Sequence, residues 1–189
     1  MHKNNYYFIC IVFSFLFLLS SCKIQGSFQG LYSYYNKVKK ENPDLIIENT
    51  SYICELKQEV KPKVFVITGT QLKKCIEENQ QQDYLVYIWK PKCRGQFCYS
   101  LDLLQRTCNV KNINLYIVAE YYDGILMLEN YHIENPIFGI DVKYYKTRLT
   151  SKYLSRFLYD LTGKADIEES LLLFQNGKFQ KSFYDIDEL

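Results

Sequence analysis

Three largely apolar runs, VFVIT (Val64 to Thr68), YLVYIW (Tyr84 to Trp89) and INLYIVA (Ile113 to Ala119), leave this chain few ways to fold. A strand that is apolar at every position, instead of at alternate ones, must be covered on both faces, as strands in parallel sheets are. Between the first two runs, TQLKKCIEEN sets Leu72, Cys75 and Ile76 at the i, i+3, i+4 spacing of a helix face. Between the second and third, Phe97, Leu101, Leu104 and Cys108 fall on one helical stripe. The order β-α-β-α-β predicts an α/β fold whose parallel core is flanked by helices.

The flanks add detail to this frame. LTSKYLSRFLYDLTG predicts a helix capped by Thr150 or Ser151, with Tyr153, Leu154, Phe157, Leu158 and Leu161 on its apolar face and Gly163 at its end. SLLLF and KFQKSF, joined by Gln175-Asn176-Gly177, read as a hairpin, since Asn-Gly accepts the positive φ angles of a tight primed turn. A hairpin added to parallel strands makes the central sheet mixed. Upstream, LYSYYNKVKK predicts a helix bearing Leu31, Tyr34, Tyr35 and Val38 on one side and ended by Pro43. NTSYICELKQ predicts a strand with Tyr52, Cys54 and Leu56 on one face. From Tyr121 to Lys146 the pattern is mixed: GILMLENYHI fits helix or strand, while IFGIDVKYY reads as a strand after Pro136.

The N-terminus carries an address. Lys3 precedes the apolar stretch Tyr6 to Leu19, which is the layout of a secretory signal and is short for a membrane span. The stretch ends in Leu19-Ser20-Ser21-Cys22, which resembles the bacterial lipoprotein box. That resemblance implies cleavage after residue 21 and lipidation of Cys22, giving a protein attached to a bacterial membrane by more than one acyl chain and facing the periplasm. Lys23 in place of the aspartate that retains inner-membrane lipoproteins favours the outer membrane of a two-membrane host. The chain then divides into a signal peptide (1–21), an anchor, tether and N-terminal extension (22–62), and one α/β domain (63–189).

Export sets the redox context, because disulfides persist outside the cytosol. Once Cys22 is acylated, Cys54, Cys75, Cys93, Cys98 and Cys108 remain, so at least one thiol stays unpaired within a monomer. A Cys54 to Cys75 disulfide is compatible with export, although the spacing does not require it. Cys75 and Cys108 sit on apolar helix faces, where cysteine acts as a small hydrophobe. The formal net charge of +2, without a basic stripe, gives no argument for a nucleic-acid partner.

The segment IWKPKCRGQFCYS follows the second buried run. Parallel units, this cysteine loop, the late helix and the terminal hairpin together resemble the thioredoxin-like superfamily from about Val64 to Phe183. WKPKCR is similar to the tryptophan-cysteine-x-proline-cysteine-arginine site of membrane-anchored thioredoxins, and SLLLFQNGK to the strand and turn that follow their cis-proline. Lys90 stands where the family's attacking cysteine would be, and Glu169 where its cis-proline would be. A second alignment, to peroxiredoxins with a resolving cysteine five residues after the attacking one, suits Cys93 and Cys98. Lys90 again replaces the threonine or serine expected three residues before the attacking cysteine.

On a regular helix, residues five apart are turned by roughly 140° and lie about 8.7 Å apart, beyond the ~7 Å limit for a disulfide. The pair must therefore occupy a loop bent at Gly95 with Ser100 capping the next helix, or oxidation must unwind a turn. Lys90, Lys92, Arg94 and a nearby helix N-terminus favour a Cys93 thiolate. A reversible pair, a fixed disulfide and inert thiols all remain open, because spacing does not set redox poise. The redox reading has Cys93 attacking, Cys98 resolving, Lys92 and Arg94 stabilising the anion, Trp89 packed beneath the loop and a partner protein supplying electrons. The alternative is a redox-inactive binding or scaffold lipoprotein.

No cofactor motif is expected. His132 is the single histidine after processing, and no His/Cys cluster has zinc spacing. Cys93, Cys98 and His132 match the residue types of thioredoxin-fold copper chaperones, but the cysteine spacing does not. Tyr121-Tyr122 and Tyr144-Tyr145 are the candidate exposed aromatic patches among the 18 tyrosines.

Overall fold

In the computed structural model, which describes residues 30–189, the chain runs α1 (Tyr35–Glu41), β1 (Ile46–Ile47), β2 (Val64–Ile67), α2 (Gly69–Glu78) and β3 (Asp83–Trp89). It continues through α3 (Leu101–Val110), β4 (Ile113–Ala119), a 3-10 turn (Leu126–Leu128), β5 (Ile137–Ile140), α4 (Thr150–Thr162), β6 (Leu171–Gln175) and β7 (Lys178–Phe183), ending in a 3-10 turn (Ile186–Glu188). The segment read as a signal peptide, Cys22 and the expected tether to residue 29 lie outside the described residues.

One seven-stranded mixed sheet, ordered β1-β2-β5-β4-β3-β6-β7, forms the centre. Strands β1 to β5 are mutually parallel, while β6 runs antiparallel to β3 and β7 antiparallel to β6. The three apolar runs are strands, and every residue from Tyr84 to Trp89 is buried, as the unbroken hydrophobicity demanded. Their order is not consecutive. β5, the strand expected after Pro136, lies between β2 and β4 and separates the first run from the third.

Local chemistry fixes the helices. Thr68 and Gln71 form a reciprocal capping box at the start of α2, and Ser100 Oγ accepts from Leu103 N at the start of α3. α2 lies so close to α4 that a Cβ on Gly69 would meet Phe157 O at 2.3 Å, so this contact requires glycine. At the hairpin, Asn176 and Gly177 have φ of 52° and 74°, the values a primed turn needs.

Four expectations need correction. The predicted strand at NTSYICELKQ is absent: Leu56 N donates to Ile53 O in a turn, Tyr52 is exposed, and the pair Ile46–Ile47 joins the sheet edge instead. The buried residue there is Ile53, out of phase with Tyr52, Cys54 and Leu56, and Cys54 is bonded to Cys75 of α2. Phe97 precedes α3 and packs on Tyr184 with ring centroids 5.6 Å apart, so it does not extend the helical stripe. α4 starts after Leu149 with no side-chain cap, because Thr150 is turned inward and takes a hydrogen bond from the Tyr153 hydroxyl. The tyrosine pairs form no exposed patch, since Tyr121, Tyr122 and Tyr145 are buried and Tyr144 alone is exposed.

Residues before Val64 belong to the same core. Tyr35, Val38, Leu45, Ile46 and Ile53 are buried in it, and a Cys54–Cys75 disulfide, with Cα atoms 5.2 Å apart, ties this extension to α2. Cys108 is the free thiol among the described residues, and burial pushes its pKa up to about 12.

Candidate functional site

β3 ends at Trp89, paired with Ala119 of β4, and the chain leaves the sheet at the carboxyl edge of its parallel strands. In open α/β sheets this edge is where ligands and chemistry collect. The loop from Lys90 to Tyr99 turns twice, with Cys93 N donating to Lys90 O at 3.0 Å and Cys98 N to Gly95 O at 3.1 Å. The turns bring the Cα atoms of Cys93 and Cys98 to 5.6 Å, and their sulfurs are bonded. The loop solution is therefore the one adopted: both cysteines precede the Ser100 cap, and α3 keeps its first turn.

The two sulfurs differ in setting. Cys93 is exposed, whereas Cys98 is half-buried and its Sγ accepts a hydrogen bond from Gly95 N at 2.9 Å. A donated N–H stabilises negative charge on sulfur, so Cys98 is the better supported thiolate once the bond opens. Cys93, Cys98, Trp89, Ser100 and Leu101 line one cleft, which sets the disulfide beside the start of α3. Trp89 is buried at the foot of this cleft, edge-on to Tyr131 at 5.9 Å between ring centroids.

The cations have defined partners. Lys92 Nζ lies 2.8 Å from Asp123 Oδ2, and its backbone N–H donates to the Tyr121 hydroxyl at 3.1 Å. Burial works against ionisation of Asp123, yet Lys92 and the backbone N–H groups of Leu126 and Ile125 outweigh it and hold the carboxyl below the usual range. Lys90 Nζ approaches Glu120 Oε2 at 3.3 Å without the alignment of a full hydrogen bond, so that oxygen is buried, charge-paired and otherwise unpartnered. Desolvation raises the Glu120 pKa, and Lys90 offsets only part of the shift. Arg94 is exposed on the loop.

A cavity of about 300 Å³ opens beside the disulfide. Cys93, Cys98 and Phe97 form one wall, Leu154 and Leu158 of α4 another, and Glu120 and Ser170 reach it from the strand ends. Glu169 also lines it and donates nothing to a turn of unusual peptide geometry: all described peptide bonds are trans, and its carboxylate accepts from Ser182 Oγ at 2.9 Å.

No family model, curated protein or solved structure matches the chain. Site assignment therefore rests on geometry. The structure brings Cys93, Cys98, Trp89 and Lys90 together at one strand end, and adds Glu120 and Ser170, which pattern reading passed over. Glu120 did carry a signal: it is the first charged residue after the apolar run Leu115 to Ala119, which is buried throughout. His132 lies elsewhere, with its ring Nδ1 3.1 Å from Asp102 Oδ1 and its side chain in solvent. Among the described residues, no group of three or more histidine, cysteine or acidic side chains is placed to hold a metal ion.

Proposed function

We propose that this chain is a lipid-anchored, envelope-facing protein of thioredoxin-like architecture that exchanges thiols and disulfides through Cys93 and Cys98. The observation that carries the reading is a disulfide held in an exposed loop at the carboxyl end of a central parallel strand, immediately ahead of a capped helix. The lipoprotein box at Cys22 supports the location.

The reaction is written for the reduced pair. The exposed Cys93 thiolate attacks one sulfur of a substrate disulfide, and the other substrate sulfur leaves as thiolate and takes a proton from solvent. The Cys98 thiolate, favoured by Gly95 N–H, then attacks Cys93 Sγ. This closes the intramolecular bond and releases the second substrate thiolate. Two electrons pass to the substrate, and a dithiol partner protein returns them by the same exchange in reverse.

Lys90 supports a second reading, a redox-inactive binding or scaffold lipoprotein. It occupies the position of the first cysteine in WCxPC-type sites and engages Glu120, so the loop offers one exposed sulfur instead of two. Mass-tagged alkylation of the full chain, before and after graded dithiol reductant, separates them. A Cys93–Cys98 pair that opens and recloses supports exchange. A pair that stays closed until the fold is lost supports the scaffold.

A further inference from the structure

A second cavity, of about 190 Å³, opens at the amino edge of the sheet, at the far end of the strands from the cysteine loop. Its lining is polar but uncharged in sum. Tyr52, Tyr84 and Tyr116 bring phenols, Asn79, Gln82 and Asn114 bring amides, and the two charged residues on its wall, Glu55 and Lys57, are opposite in sign. Tyr84 on β3 and Tyr116 on β4 share a sheet face and stack, with ring centroids 5.4 Å apart and planes 6° from parallel. The wall carrying Tyr52 is fastened by the Cys54–Cys75 disulfide to α2, whose C-cap is Asn79, and Lys57 Nζ donates to Asn135 Oδ1 at 3.4 Å on the other side. A covalent bond thus helps to hold the cavity in shape.

Hydrogen-bonding capacity remains inside it, within reach of a ligand. Asn114 Nδ2 and the Tyr84 hydroxyl both donate to Gln82 Oε1, at 2.7 and 3.3 Å, and Asn79 Nδ2 donates to Cys75 O at 3.4 Å. Gln82 Nε2 is left as a donor, and Asn79 Oδ1 and Asn114 Oδ1 as acceptors, without a partner among the described residues. The Tyr116 hydroxyl has none there either, and unlike Glu120 Oε2 or Ser170 Oγ it is not sealed from solvent. We propose that this cavity binds one neutral pyranose ring, with its hydroxyls on Tyr116, Gln82, Asn79 and Asn114 and a C–H face against the exposed ring of Tyr52. A hydroxyl donates and accepts at once, as a lining of amides and phenols requires. An ion would meet no net countercharge, and an apolar ligand would strip those groups of water without replacing it. By water's share of liquid volume the cavity has space for about six waters, room for a single hydroxylated ring. The site shares no residue with the cysteine loop, so it stands or falls apart from thiol exchange.

The test uses the full chain in lipid nanodiscs and saturation-transfer NMR, with empty nanodiscs as the control. The probes are the methyl glycosides of glucose, galactose, mannose and N-acetylglucosamine, together with cyclohexanol, which keeps a six-membered ring but a single hydroxyl. At least one glycoside is expected to saturate in the millimolar range and to bind at least ~10-fold more tightly than cyclohexanol. Tyr116→Phe removes a hydroxyl that makes no hydrogen bond among the described residues, so it is expected to leave urea stability unchanged and to weaken the tightest glycoside by at least ~5-fold. Tyr52→Ala, at an exposed position, is expected to weaken it by a similar factor and provides an independent readout should the first variant fold poorly. Absence of saturable transfer to all four glycosides, equal affinity for cyclohexanol, or unchanged affinity in either folded variant would each overturn the proposal.

Discussion

Among the described residues the same covalent bond occurs twice, in opposite settings. Cys54–Cys75 joins the N-terminal extension to a buried face of α2, with Cys75 2 % exposed and Ile53 beside it in the core. Cys93–Cys98 closes a tight loop at a strand end, with one sulfur in solvent and a cavity behind it. The first spans 21 residues and the second five. What distinguishes a staple from a reactive pair is thus not the disulfide but what surrounds it: access for an attacking thiolate, N–H donors for a leaving one, and the freedom of the loop to open without disturbing the core.

Reduction kinetics give the largest expected contrast. Cys93 is exposed to an attacking thiolate, whereas the Cys54–Cys75 bond offers only the half-buried Cys54 sulfur, Cys75 being buried on α2. With a dithiol reductant at neutral pH, Cys93–Cys98 is expected to open about tenfold faster, read by mass-tagging each cysteine over time. Equal rates would dissolve the distinction between the two regions. Stability gives the next contrast, because a cross-link that closes a longer loop restricts the unfolded chain more. Replacing Cys54 and Cys75 together by alanine is expected to cost about 3 kcal/mol in urea unfolding, and replacing Cys93 and Cys98 together about 2 kcal/mol. A reversal of that order would make the loop pair the structural staple.

Much of this contrast was legible in the residues, and the part that was not has a physical reason. The runs at Val64, Tyr84 and Ile113 declared buried strands because no alternating face was left for water. The separation of Cys93 from Cys98, set against helix geometry, left two solutions, a loop bent near Gly95 with Ser100 as the cap or a helix turn that unwinds on oxidation, and the chain adopts the first. Non-local pairing was invisible. Nothing near Pro136 says that Ile137–Ile140 will insert between β2 and β4, and nothing near Tyr52 says that Cys54 will leave strand geometry to meet Cys75. Glu120 is buried because a neighbouring strand, α4 and the cysteine loop converge on it, and no window of local sequence contains that convergence.

The smallest effect concerns how the extension is held apart from its disulfide. Glu48 accepts hydrogen bonds from Lys143, at 2.6 Å, from Lys39 and from the Tyr35 hydroxyl, joining α1 and the chain after β1 to the loop after β5. These donors, with Lys143 foremost, pull its pKa down to about 2. A carboxyl whose folded pKa is depressed contributes stability that is fully present above its unfolded value and disappears as pH falls through the folded one. The contribution of Glu48 is therefore whole at pH 7 and wanes as pH falls from about 4.5 toward about 2. Lys143 is exposed and Lys39 partly so, and solvent screening limits the cluster to about 1 kcal/mol. Glu48→Gln should lower the urea stability by that amount at pH 7 and by visibly less at pH 3, while leaving the reduction rate of Cys93–Cys98 unchanged. A faster opening of that pair in Glu48→Gln would show that the extension and the cysteine loop are coupled through the sheet, and the two regions would then have to be treated as one.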